Sequence, residues 1–214
     1  MPDTRAGELP TKNAARTSAH LAKIEQRRVE LRHQIAKSTG QFRRTVLEVG
    51  CGHGHFLTAF ASQHADALCF GVDIASDRIT RAEKKRVRAK LPNLHFIHTD
   101  ARLFIEELPS NFSLSEIYVL FPDPWPKQRH HKNRIVQPPF LDLLNQRSAP
   151  NARLYFRTDY QPYFADAAAV FRESASWEIV EEPWPFEHET VFQARAPAFA
   201  SLVARVRSAS VPRS

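Results

Sequence analysis

From residue 44 onward, runs of mostly apolar residues alternate with longer stretches in which apolar and charged positions mix. The runs near TVLEVG (45–50), ALCFGVD (67–73), NLHFIHT (93–99), SEIYVLF (115–121) and ARLYFRT (152–158) are short and rich in β-branched and aromatic residues, so they are expected as strands. The stretches near 54–65, 76–91, 101–108 and 136–148 are expected as the helices between them. This alternation predicts βαβ units: an α/β domain with a mostly parallel sheet and helices on both faces. After a further helix near 160–174, SWEIVEE and FASLVARVR add two closing strands, for an expected seven. A ligand of such a sheet sits at the carboxyl ends of its strands, so residues just after strands are the ones to inspect for chemistry.

Upstream, residues 17–38 place Leu21, Ile24, Val29, Leu31 and Ile35 at roughly helical spacing, with Arg27, Arg28 and Arg32 between them. Gly40 offers a stop signal, and residues 1–16 are expected as a flexible leader. The chain thus divides into a basic leader and helix over 1–43 and a domain over 44–214. Charge sharpens the division. Residues 1–44 carry ten Lys or Arg against four acids, whereas the rest of the chain, with twenty against nineteen, is nearly balanced. A basic arm gains affinity for a polyanion by counterion release; a solvated helix is the alternative.

Composition narrows the class. At 214 residues and 43% apolar, the chain fits one globular domain, not a disordered or fibrous one. Cys51 and Cys69 are too few for a disulfide framework or a four-ligand zinc site, and no set of histidines has metal-ligand spacing, so no metal is expected. No stretch approaches the roughly 20 apolar residues that cross a bilayer, and no apolar run marks a secretory leader. The expectation is a soluble, cytoplasmic protein with no membrane partner.

Three of the six glycines, Gly50, Gly52 and Gly54, follow the first expected strand within LEVGCGHGHF. Lacking Cβ, they permit a tight strand-to-helix turn and let a nucleotide-like cofactor approach the backbone. The dinucleotide fingerprint needs a small residue where this chain has His55, which argues against a dehydrogenase. The pattern Glu48-Val49-Gly50-Cys51-Gly52-His53-Gly54 instead resembles motif I of the Rossmann-like S-adenosylmethionine-dependent methyltransferases, which implies that cofactor. Asp73, after the second strand, is placed to accept ribose hydroxyls or to cap the next helix. Asp100, after the third, is placed at the adenine edge or as an N-cap. Glu48, within an apolar strand, needs a partner such as an ammonium group to offset its desolvation.

The segment after the fourth strand, FPDPWPKQRHHKNRIVQ (121–137), is the most specific. Pro122, Pro124 and Pro126 stiffen a non-helical loop around Asp123 and Trp125. Lys127, Arg129, Lys132 and Arg134 follow, with His130 and His131 and no acid among them, a density suited to phosphates. The segment closely resembles the FPDPW-x-K-x-R-H-x-K-R-R signature of the bacterial tRNA (guanine-N7-)-methyltransferases. The likeness runs from Glu48 to about Thr190 and includes the acids after the first three strands, the pair Thr158-Asp159 and a vestige of a T-x-x-E element. Asn133 stands where the family repeats arginine, and Gln193 where it has glutamate; glutamine keeps an acceptor oxygen but loses the charge.

The resemblance implies methyl transfer from S-adenosylmethionine to N7 of the variable-loop guanine of tRNA. Guanine N7 carries an exposed lone pair and no proton, so the reaction needs alignment, exclusion of water and accommodation of the positive charge that appears on the base, not a strong base. The resemblance assigns Asp123 a catalytic and cofactor-contacting role, Lys127 a substrate contact, residues Arg129 to Arg134 the RNA border, and Thr190 and Gln193 a place closing over guanine. Asp159 is positioned to accept the adjacent N–H donors of guanine's Watson–Crick edge, which adenine lacks; a helix cap at Tyr160 is the competing role. Trp125 either stacks on a base or packs under its loop. Two other readings stay open: a methyltransferase of the same fold acting on another RNA or an exocyclic amine, and a non-catalytic tRNA-binding relative.

Overall fold

The computed structural model describes residues 12–38, 41–188, 193 and 198–207, with side chains from residue 21 onward. Among these, seven strands form one sheet: β1 (Arg44–Val49), β2 (Ala67–Asp73), β3 (Leu94–His98), β4 (Leu114–Leu120), β5 (Ser148–Thr158), β6 (Trp177–Val180) and β7 (Ala200–Val206). Their order is β3-β2-β1-β4-β5-β7-β6. The first five are parallel, and β7 runs antiparallel to both β5 and β6. The helices are α1 (Lys12–Ala36), α2 (His55–Gln63), α3 (Ser76–Ala89), α4 (Ala101–Glu107), α5 (Pro138–Arg147) and α6 (Gln161–Glu173), with a 3-10 segment over Gln128–Asn133.

The sheet is covered on both faces, which is why β1 and β2 are almost continuously apolar and buried. Successive residues of β1 enter different cores. Val46 packs in the cluster with Phe56 and Phe60 of α2 and Ile79 of α3; Leu47 and Val49 pack in the cluster with Phe104 of α4, Phe140 of α5 and Phe171 of α6.

Element ends depart from the sequence expectation for local reasons. Helix α5 starts at Pro138, not 136, because the residue before a proline is pushed out of the helical region, and Gln137 is extended. Strand β5 begins at Ser148, four residues early: Ser148 pairs with Leu114, and the register then shifts around Asn151, whose φ is 61°. The expected leader is shortened, since α1 begins at Lys12; residues 1–11 and Gly40 lie outside the described residues. Nor is α1 detached. Leu31 and Ile35 are buried in the core, and Arg28 and Arg32 both pair with the buried Glu107 of α4, Arg28 also reaching Glu106 at 2.7 Å.

Candidate active site

A cleft of about 340 Å³ opens where β1 lies between β2 and β4, the point at which strand order reverses. One wall is the glycine loop. Gly50 and Gly52 have φ of 72° and 53°, and a Cβ on either would meet nothing within 4 Å, so the backbone faces open space. The loop is held from behind. Gly50 and Cys51 N–H groups donate to Val72 O at 2.9 and 3.0 Å, and Lys85 Nζ donates to His53 O at 2.8 Å. Asp73, buried at the end of β2, accepts from Gly52 N (2.9 Å) on one oxygen and from Ala75 N (2.8 Å) on the other. It does not cap α3, whose cap position is Ala75; its carboxylate ties two strand-end loops together at the floor of the cleft.

Glu48 is 4% exposed and lines the same cleft. Leu57 N–H donates to its carboxyl group, while Oε2 has no partner among the described residues. Burial, with the negative charge of Asp73 adding to it, pushes this carboxyl up to about 8 against the opposing pull of the Leu57 hydrogen bond. A buried carboxyl with one orphaned oxygen on a cavity wall matches a cationic group of a ligand. Asp100 lies on the rim and caps α4, accepting from Arg102 N at 2.8 Å and Leu103 N at 3.3 Å.

The opposite wall is the proline-rich loop after β4. Phe121 and Trp125 have φ of 50° and 44°, left-handed values costly for residues with a Cβ. Three contacts hold that conformation. Phe121 N–H donates to Arg157 O at 2.8 Å, the Phe121 ring meets Phe199 edge-on at 5.8 Å, and Arg134 Nε donates to Pro124 O at 2.9 Å. Asp123, between the strained residues, is exposed, lines the cleft and has no hydrogen-bond or ion-pair partner among the described residues. Trp125 also lines the cleft, its ring edge-on to His130 at 5.8 Å.

Arg134 is not at the surface where the resemblance put it. It is 1% exposed, its guanidinium lies 4.8 Å from the Tyr163 ring centre, and it pairs with Asp166. Its place is under the loop, where a planar multi-donor cation satisfies a backbone carbonyl and a carboxylate at once. Arg134→Ala is therefore expected to lower the thermal midpoint by about 5–10 °C, read by differential scanning fluorimetry, because it leaves a cavity and an unpaired carbonyl; an unchanged midpoint would refute this clamp.

Lys127, Arg129 and Lys132 are exposed along the 3-10 segment, and Arg129 Nε lies 3.2 Å from His130 Nε2. Asn133 lines the cleft. Asp159 is exposed after β5 and makes no cap: the cap residue of α6 is Tyr160, whose N–H donates to Thr158 Oγ1 at 3.2 Å. Gln193 shares a hydrogen bond with Glu187, which is held bidentately by Arg157 at 2.8 and 2.9 Å. Thr190 lies outside the described residues.

The cleft also takes in residues that the sequence did not single out, among them Ile74, Thr99, Arg102 and Ile135. Ile74 is 74% exposed directly after Asp73, a flat apolar surface at the cleft edge. An apolar residue following an acid at a strand end was the available signal, but only the fold tells it from a core residue. Among the described residues no cluster of His, Cys, Asp and Glu forms a metal site, and no helix is long and apolar enough to cross a membrane.

Residues 43–197 match the model of the family described as "Putative methyltransferase". The chain belongs to this family. Its curated relatives include tRNA (guanine-N(7)-)-methyltransferases of Nitrosomonas europaea, 35% identical over 59% of this chain and 57% of the relative, and of Streptomyces coelicolor, 36% identical over 60% of this chain and 48% of the relative. The Thermotoga maritima enzyme of the same description is 28% identical over 81% of this chain and 58% of its own length. The chain thus spans about half the length of the curated relatives it matches. Among solved structures, the 16S rRNA methyltransferase KamB superposes with a TM-score of 0.58 at 21% identity, covering 87% of this chain and 94% of that one. A 16S rRNA (adenine(1408)-N(1))-methyltransferase with cosubstrate SAM, from Catenulisporales acidiphilia, superposes at 0.56 and 18% identity, covering 85% and 93%. These likenesses give the methyltransferase family the expected Rossmann-like class I fold, a mostly parallel sheet whose edge carries the antiparallel β6 and β7.

Proposed function

We propose that this protein is a tRNA (guanine-N7-)-methyltransferase that uses S-adenosylmethionine. The observation that carries the reading is Asp123: a carboxylate without a partner among the described residues, on a strained and clamped loop, lining one cleft with a glycine loop and a buried carboxyl that has one unpartnered oxygen. The names of the relatives supply the RNA and the base; the site's chemistry is compatible with both.

In this reading Glu48 holds the cofactor's ammonium group, Gly50 and Gly52 let its chain lie against the backbone, Asp73 receives the ribose and Ile74 and Asp100 border the adenine. When bound, the cofactor supplies an electrophilic sulfonium methyl. The chain's task is then to hold guanine N7 in line, keep water out and meet the charge that develops on the base. Asp123 does the last of these. Asp159, free of any cap, accepts the adjacent N–H donors of guanine. Lys127, Arg129, His130 and Lys132 hold the sugar–phosphate strand, and Thr190 and Gln193 close over the base.

Incubating purified protein with methyl-labelled cofactor and unmodified tRNA should give 7-methylguanosine in a nuclease digest. Absence of that nucleoside from every tRNA pool containing the variable-loop guanine would end the proposal. Asp159→Asn should lower kcat/KM for tRNA by about 10- to 100-fold, since an amide cannot accept both donors, while S-adenosylhomocysteine affinity measured by calorimetry stays constant. A parallel fall in cofactor affinity would assign Asp159 to the wrong ligand.

A further inference from the structure

We propose that the groove between α1 and the carboxyl end of β3 is a second anchorage for the RNA, gripping its sugar–phosphate backbone away from the reacting base. The groove, about 540 Å³, is lined by Lys23, Gln26, Arg27, Glu30, Gln34 and His98, with Leu31 beneath and Thr99 at the end shared with the cofactor cleft. Its lining is mostly polar, which disfavours an apolar occupant, and it carries two cations against one anion. Glu30 accepts a hydrogen bond from Gln26 at 2.9 Å.

The basic residues of α1 divide by task. Arg28 and Arg32 are consumed by Glu106 and Glu107 of α4, pairs that with buried Leu31 and Ile35 fix the helix on α4, and Arg32 also pairs with Glu25 of α1 itself. Lys23 and Arg27 form no ion pair among the described residues and both face the groove. Four residues apart, they lie on one side of the helix about 6 Å apart along its axis, a pair of cations facing one strand of phosphates. The basic helix is thus a positioned surface, not a loose arm.

Position tells RNA from a small ligand. β3 is the outer parallel strand and Asp159 follows β5, so groove and base site flank the cofactor cleft with four strand intervals between them, about 19 Å. His98 Nε2 lies 3.0 Å from Ile74 O, joining the groove wall to the cleft rim. A mononucleotide at the base site cannot span that distance; a folded RNA can. The inference rests on the reading of tRNA as substrate.

The test is the double variant Lys23→Ala/Arg27→Ala, both positions being exposed. Filter binding of tRNA across a salt series should show affinity about tenfold weaker at about 100 mM salt and a slope of log K against log salt reduced by about 1.4–1.8. Turnover at saturating tRNA and affinity for S-adenosylhomocysteine should be unchanged. Lys84→Ala/Arg88→Ala, the same spacing on the exposed face of α3, should change tRNA affinity less than threefold. Unchanged affinity and slope in the α1 variant, or an equal loss in the α3 variant, would overturn the groove while leaving the tRNA reading intact. Failure of the wild type to bind or methylate tRNA would overturn that reading instead.

Discussion

Asp123→Asn is expected to lower turnover on tRNA by about 100- to 1,000-fold while S-adenosylhomocysteine affinity changes less than fivefold. Asparagine keeps the size and an acceptor oxygen, and the backbone at position 123 is not among the left-handed ones, so Phe121, Pro124 and Trp125 have no reason to move. What is lost is one negative charge where the purine ring becomes positive. A group that meets charge only as it develops acts on the transition state more than on either bound ligand, so kcat should fall and KM for tRNA should change little. Because Asp123 has no partner among the described residues, the substitution strands no other group, and thermal stability should hold. Single-turnover methylation with saturating cofactor is the measurement; wild-type turnover in the variant would remove Asp123 from the chemistry.

The second large effect is expected at Glu48. With its carboxyl pushed up to about 8, this residue is mostly protonated at neutral pH in the ligand-free protein. A raised acid costs the folded state: stability declines as pH rises from the ordinary carboxyl range, near 4.5, through about 8, and is flat above. At pH 7 that cost is about 3 kcal/mol. Glu48→Gln removes it, so the variant's thermal midpoint should rise by about 5 °C or more at pH 8. An adjacent ligand ammonium reverses the preference and draws the proton off. Binding of S-adenosylhomocysteine should therefore release a proton below pH 8, and affinity should fall up to tenfold per pH unit as pH drops. In the glutamine variant that pH dependence should vanish and affinity should be at least about 100-fold weaker at pH 8. Calorimetry in two buffers of different ionisation enthalpy reads the proton directly. A pH-independent wild-type affinity would mean that Glu48 does not meet a cation.

Much of the frame was legible in the chain because buried parallel strands must be apolar on both faces, so β1, β2 and β4 stand out as runs, and because three glycines crowd one strand end. The roles of individual acids were not. Asp73, Asp100 and Asp159 all follow strands and precede helices, and cap and ligand acid look identical there. Their hydrogen bonds separate them: Asp100 caps, Asp73 ties two loops, Asp159 does neither. Arg134 misled for a related reason. In sequence it continues a basic run, and only the packing of Tyr163 and Asp166 beneath the loop turns it inward. The groove was hidden altogether, since the spacing of Lys23 and Arg27 fits any solvated helix until the partners of Arg28 and Arg32 are known.

One consequence of the sheet order concerns synthesis. Because β7 is wedged between β5 and β6, the last of the described strands in chain order occupies an interior place, and β6 has no neighbour in the sheet until β7 arrives. A nascent chain stalled before Ala200 would hold a five-stranded platform with its β5 edge bare, exposing backbone hydrogen-bonding groups to other chains. Translation must run through Val206 before that flank closes, so β7, which opens opposite Thr158 beside Asp159, is the step that commits the domain to its native form.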